Sequence, residues 1–273
     1  MKEGDSTDIY VLPEGCIADI LSLTSPRDAC RSSVVSSIFR SAVDSDSVWE
    51  RFLPSDIRLI LSSSVSPSLP NFSSKKEQFL HLCDNPLLID NGTKTFALEK
   101  SSGKKCFMIG AKELSIAWGG TPMYWNWPSL PESRFSEVAE LLRVCWLDIR
   151  GKMETQLLSP NTTYVAYMVF KFTDDAYGFE NDPVEVSVKL ASVGRAEQGG
   201  VKSVYLKRHE ETEAEREAPK ERGDGWMELK MGEFFNERGE DGEVEMSLKE
   251  VKVLWWKSGL IIEGIELRPK ENQ

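Results

Sequence analysis

The stretches LPEGCIADILSLTSPRD (residues 12–28) and VWERFLP (residues 48–54) bound the segment that decides the N-terminal fold. Proline is tolerated at a first helical position, because its missing N–H has no intrahelical partner there. Pro13 and Pro26 are therefore predicted to begin helices, and Ser25 with Asp28 three residues later forms a variant of the capping box. The pattern predicts three short helices with more apolar residues than so small a segment can bury. The surplus predicts a binding partner.

Residues 8 to 54 resemble an F-box, the module that docks substrate receptors onto the Skp-type adaptor of cullin-RING ubiquitin ligases. The resemblance is carried by Leu12, Pro13, Ile17, Ile20, Leu21, Asp28, Cys30, Val34, Phe39, Arg40, Trp49, Phe52 and Leu53. The adaptor contacts that it implies are Leu12, Pro13, Ile17, Ile20, Leu21, Trp49, Phe52 and Leu53. The alternative is an ordinary three-helix cap on the domain that follows.

The bulk properties limit the classes of partner. A chain of 273 residues can hold one large or two modest domains, and its 40% hydrophobic content is enough for a packed core. The formal charge of −11 argues against nucleic acid or an anionic membrane as the main partner. No apolar run fits a signal peptide or a membrane span, so we expect a location in the cytoplasm and nucleus. Five scattered cysteines, none at metal-ligand spacing, predict reduced thiols and no metal or cofactor.

The rest of the chain divides at about residue 90. Residues 55–90 are predicted to be a spacer with helical segments around a stretch rich in Ser and Pro, 62–74. From Asn91 onward the period becomes that of strands, as in the alternation of Val184, Val186 and Val188 with polar residues. Residues 164–172 are apolar on both faces, as in a central strand. Many short strands with Gly and Asn turns predict an antiparallel β-sandwich.

An acidic insert interrupts the strand pattern between His209 and Asp224. It contains few large apolar groups, so burial cannot offset the entropy of ordering it. We expect a flexible, solvated loop, with an acidic partner-binding patch as the alternative.

Three tryptophans flank a turn of sequence GGTP, residues 119–122. Trp118 precedes the turn, and Trp125 and Trp127 follow it. Flat indole faces suit the C–H face of a pyranose ring, while carboxylates and amides accept hydrogen bonds from sugar hydroxyls. The alternative is that the three rings are core aromatics of a hairpin. The other candidates for core packing, because they lie in strand-like runs, are Trp146, Trp226, Trp255 and Trp256.

The chain from Lys94 to Pro269 resembles the phloem protein 2 lectins of plants, also called Nictaba-like lectins. The matching blocks are 114–127, 138–149, 224–228, 232–236, 239–245, 256–260 and 265–269. The resemblance implies a jelly-roll-like β-sandwich that binds N-acetylglucosamine oligomers or the core of N-glycans. It places stacking platforms at Trp118 and Trp125 and hydroxyl acceptors at Glu233 and Glu240. Gly119 and Gly120 depart from the polar residues that tighter sugar-binding members carry in this turn.

The sequence therefore predicts an α+β multidomain chain: an F-box at 1–54, a spacer at 55–90 and a lectin domain at 91–273. Glu233 and Glu240 could suggest a glycosidase pair, but nothing in the sequence fixes their separation. Neither histidine, His81 or His209, lies in a segment expected to form a cleft, so we expect no catalysis. The leading hypothesis is a ligase receptor that recruits glycoproteins through the Skp-type adaptor and cullin scaffold. The alternatives are a receptor whose sandwich recognises a protein surface, and a free cytosolic lectin.

Overall fold

The computed structural model describes residues 12–65, 70–180, 182–192, 200–207, 218–238 and 242–271. The chain forms two compact units. The helical unit contains residues 1–62, 66–87 and 97–104, and the β unit contains residues 63–65, 88–96 and 105–273.

The helices lie in the N-terminal part of the chain. Their bounds are α1 Glu14–Ser22, α2 Pro26–Ser32, α3 Ser37–Asp44, α4 Asp46–Phe52, α5 Ile57–Ser62 and α6 Lys75–Asp84. Residues 12–54, which the structure describes, hold four helices and not the predicted three, because extended backbone at Ser45 separates α3 from α4. Pro26 is the first residue of α2, as predicted, and Ser25 Oγ accepts from the Asp28 amide at 3.1 Å. Pro13 lies one position earlier than predicted, directly before α1.

The core of the helical unit is built around Trp49. Its indole ring packs edge-on against Phe52 at 5.6 Å and lies 5.2 Å from Phe79 of α6. Its Nε1 donates to the carbonyl of Val43 at 2.6 Å, so the polar atom of this fully buried side chain is satisfied. α1 packs against both α3 and α4. The apolar residues of the short helices thus meet around one aromatic centre.

The strands follow α6. Their bounds are β1 Leu87–Ile89, β2 Lys94–Leu98, β3 Lys105–Gly110, β4 Ser115–Ile116, β5 Trp125–Asn126, β6 Ala139–Leu141, β7 Leu147–Glu154, β8 Thr162–Tyr177, β9 Val184–Ser192, β10 Val201–Val204, β11 Lys220–Glu221, β12 Met227–Asn236, β13 Gly242–Glu250 and β14 Ser258–Pro269. The larger sheet has the order β1-β2-β3-β14-β8-β12-β11, and β6 pairs with both β14 and β5. The smaller sheet has the order β10-β9-β13-β7-β4.

The two sheets pack face to face, as the predicted antiparallel sandwich requires. A Cβ added at Gly232 of the larger sheet would lie 3.0 Å from Val188 of the smaller one. β8 lies between β14 and β12, which explains why its sequence is apolar on both faces. Val184, Val186 and Val188 are buried, as their alternation predicts. The prediction of an α+β chain with N-terminal helices and an antiparallel sandwich is confirmed.

The acidic insert differs from its prediction at its C-terminal end. Residues 208–217 lie outside the described residues, and with them His209. Lys220 and Glu221 form β11, which pairs with the beginning of β12. Arg222 is largely buried, and its guanidinium pairs with Glu266 at 2.7 Å. The part of the insert that the structure describes is therefore integrated into the larger sheet.

Three smaller features complete the description of the fold. All five cysteines are free thiols. Asn91 and Asn161 adopt left-handed φ angles of 55° and 50°, a conformation that asparagine tolerates in turns. Within the described ranges, no helix has the length and apolar character needed to cross a bilayer.

Candidate functional site

The loop between β4 and β5 displays Trp118. The indole is 48% exposed, and its ring lies 5.8 Å from the ring of Tyr124. Its backbone has φ of 55°, a left-handed conformation that costs a bulky residue free energy and tends to occur at functional sites. Hydrogen bonds close the turn on both sides, from the Gly119 amide to the Ile116 carbonyl and from the Thr121 amide to the Trp118 carbonyl.

Trp125 and Trp127 support this loop through hydrogen bonds and do not add further rings to its exposed surface. Trp125 Nε1 donates to the Ala117 carbonyl at 3.1 Å, and Trp127 Nε1 donates to the Gly119 carbonyl at 2.9 Å. The two bonds hold the residues on either side of Trp118. Trp125 is only 2% exposed, so its predicted role as a stacking platform is corrected to a core role. Lys112 Nζ covers the Trp127 ring at 4.1 Å. Of the three rings, Trp118 is the one available to a ligand.

Glu233, a predicted hydroxyl acceptor, lies on β12 between two lysines. Lys230 pairs with one carboxylate oxygen, and Lys270 Nζ lies 2.8 Å from the other. Hydrogen bonds from Lys230 and then Lys270 hold the pKa of Glu233 below its ordinary value. The carboxylate is therefore ionised and already engaged, and a sugar hydroxyl would have to compete with both ammonium groups.

Among the described residues, the structure does not bring Glu233 close to the predicted stacking tryptophans. Trp125 joins the larger sheet through β6, which meets β14 at Ile262. Glu233 is level with Arg268 of β14, with β8 between them. Ile262 and Arg268 are six residues apart on β14, which corresponds to roughly 20 Å along the strand. Glu240 lies outside the described residues. Glu233 and the aromatic part of the predicted site are thus at different places on the sandwich.

The helical unit divides the predicted adaptor residues into a core set and a surface set. Ile17, Leu21, Trp49, Phe52 and Leu53 are buried in the unit. Direct adaptor contact by these five is corrected to a core role, because they pack α1 and α4 together. Ile20 and Pro13 are exposed, and Leu12 is half-buried.

Other apolar residues complete the exposed surface of the helical unit. Leu23 is 70% exposed and Val34 is 78% exposed, and Val35 and Ile38 are also exposed. Leu23 follows α1, and the others occupy the turn from α2 to α3 and the beginning of α3. The helical period of the sequence did not select Leu23, Val34 or Val35 as adaptor contacts, because these residues lie in turns, which carry no helical phase. Large apolar groups concentrated at a surface indicate an interaction site.

Two ion pairs and a buried carboxyl connect the segments at Arg134 and Arg222 to β14 of the larger sheet. Arg134 pairs with Glu266 at 3.1 Å, and Arg222 pairs with the same carboxylate. Burial disfavours the ionised form of Glu266, but Arg222 and Arg268 outweigh burial and lower its pKa. Burial raises the pKa of Glu263, although the Arg134 amide donates to it at 2.8 Å. The two neighbouring carboxyls therefore have pKa values shifted in opposite directions.

The sequence did not predict a second group of exposed aromatic residues, which lies near Val144 and Lys257. Trp226 is buried, as expected, but Trp146, Trp255 and Trp256 are exposed, and their predicted core role is corrected. They lie in irregular segments beside strands, where alternation does not indicate which side faces the solvent. The bridge between Val144 and Lys257 places the two segments next to each other.

Comparison with known proteins gives the family. A family model described as Phloem protein 2 matches residues 104–269, and a model described as F-box domain matches residues 9–51. The chain belongs to the phloem protein 2 family. Putative F-box protein PP2-B2 of Arabidopsis thaliana is 48% identical over 267 residues, which are 96% of this chain and 83% of that protein. F-box protein PP2-B10 of the same plant is 46% identical over 269 residues, 98% of this chain and 96% of that protein.

Solved structures match this phloem protein 2 chain only weakly. The structure of TmCBM61 in complex with β-1,4-galactotriose covers 57% of this chain and 87% of its own, with 11% identity and a TM-score of 0.29. A score this low supports no conclusion about ligand.

The family membership is consistent with the predicted receptor role, since the relatives are named as F-box proteins. His81, the histidine within the described residues, lies on α6 beside Asn85 and the ring of Phe72. His209 lies outside them. The F-box family names point to a non-catalytic adaptor or receptor role.

Proposed function

We propose that this F-box receptor is the substrate-recognition subunit of an SCF-type cullin-RING ligase. Its helical unit binds the Skp-type adaptor, the adaptor joins it to the cullin scaffold, and its sandwich binds glycan on target proteins. The observation that carries the proposal is the exposed apolar surface on the segment that the F-box model matches. Catalysis belongs to the assembled ligase, acting in the cytoplasm and nucleus.

The proposed adaptor surface consists of the exposed apolar groups of the helical unit. Ile20, Leu23, Val34 and Val35 present aliphatic side chains that have no partner within the described chain large enough to bury them. Leu12 and Pro13 extend this surface at the beginning of α1. Burying one large aliphatic side chain contributes about 1.5–3 kcal/mol, so a few such contacts supply a stable interface.

Co-expression with a Skp-type adaptor tests this part of the proposal. Leu23→Asp combined with Val34→Asp should abolish recovery of the complex, because each change would bury a carboxylate at the interface. Leu59→Asp is the matched control, since Leu59 is equally exposed on α5 but lies beyond the F-box match. Equal recovery of adaptor with the double variant and with the control would contradict the adaptor surface.

The proposed glycan contact is the Trp118 ring. A half-exposed indole on a loop that two other indoles hold in place offers a preorganised face for the C–H side of N-acetylglucosamine oligomers or an N-glycan core. Binding should be weak, since each hydrogen bond to a sugar hydroxyl contributes a net ~1 kcal/mol. Stacking on Trp118 supplies the remainder.

A glycan array probed with the full chain tests the sugar proposal. Wild type should bind chitin-type oligomers or N-glycan cores, and Trp118→Ala should remove the signal while leaving the melting temperature unchanged. Val201→Ser, an exposed apolar change on β10, serves as the control and should bind like wild type. If the wild-type chain binds no glycan on a broad array, the sugar proposal is contradicted. The alternative, a receptor whose sandwich recognises a protein surface, is then favoured.

A further inference from the structure

The loop between β13 and β14, residues 251–257, is built over a buried ion pair. Lys257 pairs with Glu250, and both side chains are almost fully buried. Lys257 Nζ also donates to the Trp255 carbonyl at 3.0 Å, and the Glu250 carboxylate accepts from the Val253 amide at 2.8 Å. A buried ion pair contributes little net stability, but it fixes the geometry of the groups around it. The pair therefore holds the 251–257 loop in one conformation.

This loop presents large apolar side chains to the solvent. Trp255 is 68% exposed and Leu254 is 58% exposed, and Trp256 is also exposed. The bridge from Val144 to Lys257 places the backbone near exposed Trp146 beside this loop. We call Trp146, Leu254, Trp255, Trp256 and Arg143 the aromatic surface. A rigid loop that exposes several large apolar groups indicates a binding site, because contact of such groups with water is unfavourable and burial by a partner removes it.

Arg143 supplies the charge of the aromatic surface. Its guanidinium lies 4.3 Å from the centre of the Trp256 ring, stacked on the indole. Among the described residues, no carboxylate lies within ion-pair distance of it. The stacked and exposed guanidinium is therefore oriented and available to bind a carboxylate from outside the chain.

The composition of the aromatic surface favours a polypeptide over a sugar. Tryptophan and arginine are the residues most enriched among the energetically dominant contacts of protein interfaces. Sugar sites need carboxylates or amides beside the rings, but Glu250 is buried under the loop with Lys257, and Asp148, two residues from Trp146, is already paired with Arg150 at 2.8 Å. Exposed Leu254 has no polar atom to offer a hydroxyl. A segment with apolar side chains and one carboxylate complements all five residues.

We propose that the aromatic surface docks a polypeptide segment of the protein substrate in which an acidic residue is flanked by large apolar residues. The flanking side chains pack on Trp255, Trp256 and Leu254, and the acidic side chain pairs with Arg143. The proposal extends the receptor role and does not depend on glycan binding at Trp118.

A charge-swap experiment on the full chain tests the proposal. The probe is a library of short synthetic peptides with Glu, Lys or Ser at the centre and flanks drawn from Trp, Phe, Leu and Ile. Wild type should prefer the Glu series, binding it about tenfold more tightly than the Lys series. Trp255→Ser should lose this binding, whereas Arg143→Glu should reverse the preference toward Lys.

Two controls exclude loss of folding and a sugar site. Val201→Ser changes an exposed apolar residue elsewhere on the β unit and should keep the wild-type preference. Each variant is also measured by thermal unfolding and against chitin oligomers. Equal binding of the Glu, Lys and Ser series by wild type would overturn the proposal. So would a Trp255→Ser variant that loses chitin binding while its peptide binding is unchanged.

Discussion

Individual indoles of the GGTP turn have different roles, although the sequence places them within ten residues. Trp118 is displayed on a left-handed backbone, while Trp125 and Trp127 donate to the carbonyls on either side of it. Sequence reasoning left both the platform and the core interpretations open, because residue type does not reveal which side of a turn a ring faces. The backbone angle and the two indole N–H bonds assign the roles.

Replacing these tryptophans should separate stability from binding. Trp125→Ala should lower the free energy of unfolding by about 3–5 kcal/mol, because it empties a buried site and frees the Ala117 carbonyl. Trp118→Gly should stay within about 1 kcal/mol of wild type, since glycine accepts a positive φ without strain. Urea unfolding of the full chain measures both values. Similar losses in the two variants would show that Trp118 is also a core residue.

Glu263 and Glu266 should give opposite pH dependences. The pKa of Glu263 is raised from 4.5 in the folded chain, so the native state holds its proton at a pH where the unfolded state has lost it. Its contribution to stability therefore falls as the pH rises above 4.5. Glu263→Gln should gain stability relative to wild type over that rise.

The control for this pH dependence is Glu266→Gln. The pKa of Glu266 is lowered, so ionisation of its carboxylate stabilises the fold and is lost as the pH falls below 4.5. This variant should lose stability relative to wild type as the pH rises from acid toward 4.5. Chemical unfolding of both variants across this range checks the signs, and parallel curves would contradict the assigned environments.

At the scale of elements, the sequence predicted α2 and the central strand β8 well, because capping residues and two-sided apolar runs are local signals. It did not predict the break at Ser45, which makes four helices of three. It also missed the exposure of Trp255 and Trp256. Their loop is fixed by Lys257 and Glu250, seven residues apart, and such a pairing has no signature in the local pattern.

Breaking the buried ion pair of Lys257 and Glu250 should strongly destabilise the chain, and removing the second charge should restore stability. Lys257→Met should lower the free energy of unfolding by about 3–5 kcal/mol, because it leaves Glu250 buried without its counter-charge. Adding Glu250→Gln should restore much of this loss. Lys252→Met removes an exposed pair with Glu185 and should change stability by only a few tenths, roughly the value of a surface pair. Thermal unfolding distinguishes the Lys257 and Lys252 variants. A Lys257→Met variant as stable as wild type would contradict the structural role of the buried ion pair.

The acidic insert should be replaceable only in part. Its composition predicts that a Gly-Ser turn in place of residues 209–217 shifts stability by about a few tenths of a kcal/mol. Extending the replacement to Asp224 removes Arg222 from Glu266 and should cost roughly 1–3 kcal/mol more. Melting temperatures of the two deletions measure the difference. Equal values would show that β11 and Arg222 contribute nothing to the sandwich.

At the scale of the whole molecule, the sequence was sufficient for the order of modules, because the F-box and phloem protein 2 blocks are long. It was insufficient for the surfaces. Ile17 and Trp49 match the F-box pattern because they build its core. Val34 also matches the pattern, but it and Leu23 are exposed at turn positions outside any helical period. Residues that identify a fold are often the buried ones, while binding residues are set by what the packed fold leaves exposed.

The measurement that tests the central claim most directly is adaptor-dependent binding to the cullin scaffold. The full chain, mixed with purified cullin on a sizing column with light scattering, should elute separately. Added Skp-type adaptor should shift it into one complex of all three proteins, and Leu23→Asp with Val34→Asp should prevent the shift while Leu59→Asp does not. A wild-type chain that still elutes apart from cullin and adaptor would contradict the account of this protein as a ligase receptor.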